Sequence, residues 1–308
     1  MEFIEFTKAF YIKLGRGGEY EVDSINTGKL RFGWKGQSID DINAGKWDVI
    51  EAQLRAKDGG KRLGPSTSDY KALWNLAQDW PDTVWITFHQ SKMWWTRLAP
   101  GPVLEDGISK YRITSQPWCD HATGGRVFAV DMIPGKISQL QGFRATLCKV
   151  NYLELLQRTL NGTRSPQATA ISVAASFLSQ LLAEAIKELH WKDFETLVDM
   201  VFRNAGWMRV SVLGQQAKGY DLILQEPIIG ERYVVQVKSQ AGLAELLSTI
   251  SNFSTDDFRK LFFVVHSPDD DLSGATDIPK HVEIVTPLRL GELALDAGLV
   301  AWIEEKVA

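Results

Sequence analysis

Asp221, Gln236 and Lys238 are the residues whose types and spacing could do chemistry. Asp221 follows Gly219–Tyr220 at the start of a short apolar run, and Gln236-Val237-Lys238 ends the β-forming run Tyr233–Lys238. Side chains alternate along a strand, so Gln236 and Lys238 share one face and Val237 takes the other. With Asp221 on a neighbouring strand, a carboxylate, an amide oxygen and an ammonium converge at a sheet edge. Phosphodiester hydrolysis uses such a set. A divalent cation such as Mg²⁺, with Mn²⁺ as a substitute, takes hard oxygen ligands and offsets phosphate charge. Asp221, Gln236 and the main-chain carbonyl of Val237 are the candidate ligands. Lys238 can orient the attacking water and stabilise the transition state. A buried Asp–Lys ion pair of purely structural role is the competing reading.

These residues must be positioned by the elements around them. Ser172–Leu189 reads as an Ala/Leu-rich helix. Trp191–Asn204 carries Phe194, Leu197, Val198, Val201 and Phe202 on one buried face. Strands are expected at Met208–Leu213, Tyr220–Leu224, Tyr233–Lys238, Leu261–His266 and Val282–Thr286. A helix is expected at Leu243–Ile250 and a helical tail at Leu288–Val307. Helix, three strands, helix, strand gives an α/β unit around a mixed sheet. Ser239 and Gln240 read as caps of the Leu243 helix, with a phosphate contact as the alternative. His190 and His266 read as helix-end and strand-end residues without metal-ligand spacing.

The ordered set Phe194-Glu195 on a helix, Asp221-Leu222-Ile223-Leu224 on a strand and Gln236-Val237-Lys238 on the next resembles the PD-(D/E)XK nuclease superfamily, in particular its Mrr-like restriction-endonuclease branch. The resemblance runs from about Leu189 to Ser267. It implies catalytic roles for Asp221, Gln236 and Lys238, and an assisting role for Glu195 through metal or water contacts. Gln236 stands where the superfamily's name pattern has an acid, a swap typical of the Mrr-like branch.

The first half is different. Strands are expected at Ala9–Leu14, Leu30–Trp34, Thr83–Phe88, Met93–Leu98, Tyr111–Thr114, Val127–Met132 and Phe143–Val150, with helices at Asp40–Ala56 and Thr67–Asp79. This is an α+β domain with a mostly antiparallel sheet, closed or half-closed into a barrel. Eight of the 11 tryptophans lie before residue 160. The neighbours Trp94 and Trp95 must face opposite sides of a strand, and aromatic walls are what a pocket for an unstacked base requires. Trp34, Trp94, Trp95 and Trp118 are candidate walls, with Asp120, Gln90 and Ser91 as base-edge partners. Gly15–Gly18 reads first as a simple turn, with Arg16 as a candidate phosphate contact; the loop lacks the pattern of a nucleotide-triphosphate site. Met93–Leu98 and Gly135–Val150 resemble PUA-superfamily modules, including EVE-type domains, which implies a small barrel that holds RNA or a flipped, modified base.

At 44% hydrophobic and 23% charged residues, 308 residues supply two cores of ordinary size. Leu160–Ala168 reads as the linker, giving domains 1–160 and 161–308. Net charge is -4, but residues 1–160 hold 21 Lys and Arg against 18 Asp and Glu, while the remainder holds 13 against 20. Much of any DNA affinity is therefore expected from the first half. The acidic run Asp269–Asp271 fits a solvated loop. The acidic N-terminus and the lack of a long uninterrupted apolar stretch point to a cytoplasmic chain without membrane contact. Cys119 and Cys148 fit free thiols. The whole reads as a modification-dependent, type IV-like deoxyribonuclease. It would cut double-stranded DNA near a methylated or hydroxymethylated cytosine, as a homodimer or paired on DNA, without nucleotide triphosphate. A repair or junction-resolving nuclease and a binding protein with an inactive nuclease fold are the alternatives.

Overall fold

In the computed structural model the described residues are 3–57, 63–210, 220–269, 272 and 278–308. The chain divides into two units, Met1–Ser165 and Pro166–Ala308.

The first unit runs β1 (Lys8–Ile12), α1 (Glu21–Thr27), β2 (Lys29–Phe32), α2 (Ile39–Asn43), α3 (Trp47–Lys57), α4 (Leu63–Ala77), β3 (Thr83–His89), β4 (Lys92–Thr96), β5 (Leu104–Glu105), β6 (Lys110–Ile113), α5 (Gly135–Ser138), β7 (Leu147–Lys149) and α6 (Leu153–Asn161). Strands β4-β3-β1-β7 form a mixed sheet, with β1 and β3 parallel and the other pairs antiparallel. Strands β2-β6-β5 form a second, antiparallel sheet. Neither sheet closes among the described residues, so the expected barrel is replaced by two open sheets. The physical reason is that apolar residues alternate onto both faces of the first sheet. Ala9, Tyr11, Ile86 and Trp95 pack on one face with Leu156 and Leu160 of α6. Phe10, Ile12 and Trp85 pack on the other with Ile50, Leu54, Leu73 and Leu76 of α3 and α4. A sheet covered on both faces has no reason to curl on itself.

Local chemistry moved several boundaries. Gly45, at φ 70°, splits the expected Asp40–Ala56 helix into α2 and α3. Gln90 and Ser91, both at positive φ, make the two-residue turn of the β3–β4 hairpin. Val127–Met132 gives isolated bridges at Val127 and Ala129, not a strand. Both cysteines are free.

The second unit runs α7 (Pro166–Glu188), α8 (Trp191–Asn204), β8 (Met208–Arg209), β9 (Leu222–Gln225), β10 (Arg232–Ala241), α9 (Leu243–Ser251), β11 (Leu261–Pro268), β12 (Val282–Val285), α10 (Pro287–Asp296) and α11 (Val300–Val307). Residues 211–213 of one expected strand, and Asp270 and Asp271 of the acidic run, lie outside the described residues. The five strands order as β12-β11-β10-β9-β8, antiparallel from β8 to β10 and parallel from β10 to β12. This is the mixed sheet expected. Val235 and Val264 face a core with α7, α8, α10 and α11. Val234, Phe263 and Val265 face a second core with Leu246 of α9. Gly298, at φ 72°, breaks the expected single tail helix into α10 and α11. A side chain at Gly291 would stand 2.6 Å from the Ser179 carbonyl, so α10 needs glycine to approach α7 this closely. Helix α7 has the length and composition of a membrane span, and its Leu182, Ala183 and Ile186 are buried in the unit.

Candidate active site

Strand β9 pairs with β10 in the register Leu222↔Val235. Asp221 continues that ladder by one bond, donating its N–H to the Val235 carbonyl at 3.1 Å. Its carboxylate then lies against the next stretch of β10. Oδ2 accepts the Val237 N–H at 2.7 Å and a hydrogen bond from Gln236 Nε2. Among the described residues Oδ1 accepts none. The strand pair thus fixes the carboxylate and leaves one oxygen with coordination capacity.

Gln236 is buried and shares the α9 face of β10 with Val234, while Val235 and Val237 pack on the α8 face. Its amide nitrogen is the group turned to Asp221, so in this arrangement it acts as a donor. Lys238 lies two residues on. Its ammonium has no ion pair among the described residues, and it lines a cleft of about 490 Å³ with Glu195, Val237, Ser239 and His266. Ser239 and Gln240 do not cap α9. Gly242 is the cap residue, its N–H donating to Glu245 at 2.9 Å, because β10 runs on to Ala241 and carries the helix start beyond them.

Glu195 projects from α8 into the same cleft. Its surroundings strip part of its hydration and the Asp221 carboxylate repels it, so its pKa is raised; Arg209 and Lys192 pull the other way. Two mutually repelling carboxylates beside a main-chain carbonyl form an oxygen donor set suited to a hard divalent cation. No cluster of three or more His, Cys, Asp or Glu occurs among the described residues, so such a cation would draw on Val237 O and Gln236 Oε1 as well.

His266 was not singled out for chemistry by its sequence context. It stands edge-on to Phe194 at 5.0 Å and bonds Ser267 Oγ through Nδ1 at 2.9 Å, and its buried Nε2 has no partner among the described residues. His190 caps α8, accepting the Lys192 N–H at 3.4 Å.

Of the tryptophans proposed for a base pocket, three share one core and Trp95 lies in the other. Trp95 and Trp118 are buried in different cores, and Trp118 donates to the Lys29 carbonyl at 3.0 Å. Trp34 and Trp94 are half-buried against the same core as Trp118. Asp120 is ion-paired to Lys92 at 2.7 Å. Gln90 and Ser91 form the hairpin turn, and Arg16 is exposed, its N–H held by Glu19 at 3.1 Å.

Residues 186–267 match the family described as restriction endonuclease, in its Mrr catalytic-domain form. Among solved structures the chain is similar to the DNA modification-dependent restriction endonuclease AspBHI, at 14% identity over 72% of this chain and 68% of that one, with a TM-score of 0.34. Among curated proteins nothing matches. Domains of this kind generally use divalent metal ions. The cleft, the pinned Asp221 and Lys238 all fall inside the matched segment or border it directly, and residues 186–267 are an Mrr-like restriction endonuclease domain.

Proposed function

We propose that this chain hydrolyses phosphodiester bonds of double-stranded DNA in the cleft beside Lys238, close to a modified cytosine selected by the first unit. The observation that carries the nuclease centre is the Asp221 carboxylate, held by Val237 N–H and Gln236 with one oxygen free among the described residues, close enough to repel Glu195, which lines a cleft with Val237 and Lys238. Asp221, Glu195, the Val237 carbonyl and the Gln236 amide oxygen would hold a divalent cation, Mg²⁺ or Mn²⁺. When bound it supplies positive charge against the phosphate oxygens. Lys238 orients the attacking water and stabilises the charge that builds on the phosphoryl oxygens. Glu195, whose carboxylate is repelled by Asp221 without a cation, would be held ionised as a ligand once a cation offsets that charge. Cutting both strands calls for two such centres, hence a homodimer or pairing on DNA.

The reader role of the first unit is supported by its charge. Residues 1–160 carry a net of +3 against -7 for the remainder, so it is the half suited to a polyanion. Cleavage of matched duplexes bearing cytosine, 5-methylcytosine or hydroxymethylcytosine, in Mg²⁺ or Mn²⁺, tests both parts. Cutting restricted to modified duplexes, and abolished in Lys238→Ala, is the expected result. Equal cutting of all three removes the reader. No cutting of any substrate leaves a binding protein with a nuclease fold.

A further inference from the structure

The first unit has a cavity of about 430 Å³ between strands β1 and β7 and helix α4, lined by none of the candidate site residues above. Its construction follows from register. Phe10 of β1 pairs with Lys149 of β7, and Lys8 lies two residues before Phe10. Lys8, Phe10 and Lys149 therefore share one face of the sheet. Ser68, Lys71, Ala72 and Asn75 form one stripe of α4, at the three- and four-residue spacing that aligns side chains on a helix. Trp74 and Trp80, edge to face at 5.5 Å, complete the wall.

Three ammonium groups thus surround one cavity, and no acidic residue is among those lining it. None of the three has an ion pair among the described residues. The contrast within the unit is sharp: Arg31 is bound to Asp23 and Asp106, Lys110 to Glu105 and Arg112 to Asp79. Lys8 instead rests its ammonium 3.1 Å from the centre of the Trp80 ring. Its pKa is lowered by partial loss of hydration and by the charge of Lys149, so the cluster repels itself and gains from an anion. The volume lies within the roughly 300–1,000 Å³ of ordinary ligand pockets.

We infer that this cavity binds a DNA phosphate through Lys8, Lys71 and Lys149, with the attached nucleotide against the Trp74–Trp80 wall. The inference rests on the reading of the chain as a DNA enzyme, but it concerns binding and not cleavage. The test is fluorescence anisotropy of the full chain with a labelled duplex in EDTA across a salt series. The triple variant Lys8→Ala, Lys71→Ala, Lys149→Ala should bind at least about tenfold more weakly, and its salt slope should fall by about 0.9 per lost phosphate contact. A triple arginine variant should keep both affinity and slope, and equal melting temperatures would show that all three proteins are folded. Unchanged affinity and slope in the alanine variant overturn the proposal, as does a wild-type chain that binds no DNA. Lysine-dependent binding of deoxycytidine monophosphate without any change for DNA reassigns the cavity to a free nucleotide and also overturns it. Lysine-dependent DNA binding by a chain that never cleaves would instead remove the nuclease reading and leave this one standing.

Discussion

The buried arginines of the first unit and the cleft of the second use polar residues in opposite ways. In the first, buried cations are saturated: Arg112 holds the carbonyls of Leu76, Gln78 and Ala99 and the Asp79 carboxylate, and Arg31 clamps Asp106 and Asp23. In the second, Glu195 and Lys238 line one cleft with Val237, whose N–H holds the Asp221 carboxylate, and among the described residues bonding capacity is left over. A buried polar group with every partner supplied fixes a fold. A convergent set with partners missing is what a substrate and a cation complete. The same residue types carry different meanings according to how much of their hydrogen-bonding and charge is already spent.

The largest effect should separate activity from stability. Lys238→Ala and Asp221→Ala should each lower cleavage by about 10³-fold or more, the scale of losing a charge-stabilising group. Lys238→Ala should melt with the wild type, since its ammonium bonds nothing described in the fold. Asp221→Ala should melt somewhat lower, because it frees the Val237 N–H. A Lys238→Ala protein that cuts normally would place the chemistry elsewhere.

The mirror experiment is Arg112→Ala. It leaves three carbonyls without their guanidinium donor and the half-exposed Asp79 carboxylate with the Gly101 N–H, at a cost of about 1–3 kcal/mol. Denaturant unfolding should show that loss in the first unit's transition. Cleavage chemistry in the second unit should survive under conditions where the chain stays folded. A loss near zero would mean that the guanidinium is not saturated as described.

The nuclease half was far more legible from sequence than the first, and particular residues show why. Helix α8 begins and ends where its apolar spacing and Gly206 place it, and Tyr233–Lys238 is strand because alternation and β-branching agree there. The contact between Asp221 and Gln236 follows from the register of adjacent strands. Trp94 and Trp95 show the limit. Alternation puts them on opposite faces, as they are, but it cannot show that the sheet is covered on both sides. The inward–outward distinction that a pocket needs therefore collapses into two cores. The Lys8–Lys71–Lys149 cavity was out of reach for a related reason: its residues come from three elements whose pairing no local pattern encodes. His266 is similar, since only the packing of β11 against Phe194 turns it toward the cleft.

A smaller effect probes the departure at Gln236. Its amide donates to Asp221 from a buried position. Glutamate there would press a second carboxylate against the first, and burial would force one to keep a proton or take a cation. Gln236→Glu should therefore lose about 1–3 kcal/mol in EDTA and recover most of it in Mg²⁺. Melting curves with and without Mg²⁺ decide the matter. An equal loss in both would mean that the two residues do not share a cation site.

The smallest effect concerns Glu195, and its sign runs against intuition. A carboxyl whose folded pKa is raised holds its proton more tightly in the folded chain than in the unfolded one. It contributes stability in acid, below the unfolded value of about 4.3. That contribution is lost as pH rises from there through the raised folded value. At neutral pH the ionised side chain, partly dehydrated and facing Asp221, opposes folding. Glu195→Gln should then raise stability at pH 7 in EDTA by only about 0.3 kcal/mol, since the group is exposed and water screens the repulsion. The gain should vanish below the ordinary carboxylate range, where both proteins are neutral at this position. Mg²⁺ should reverse it, because a cation shared with Asp221 turns the repelling carboxylate into a ligand. Melting temperatures of the two proteins at acidic and neutral pH, with and without Mg²⁺, measure all of this. A variant less stable than the wild type at neutral pH in EDTA would show that Glu195 does not face Asp221, and would take it out of the candidate site.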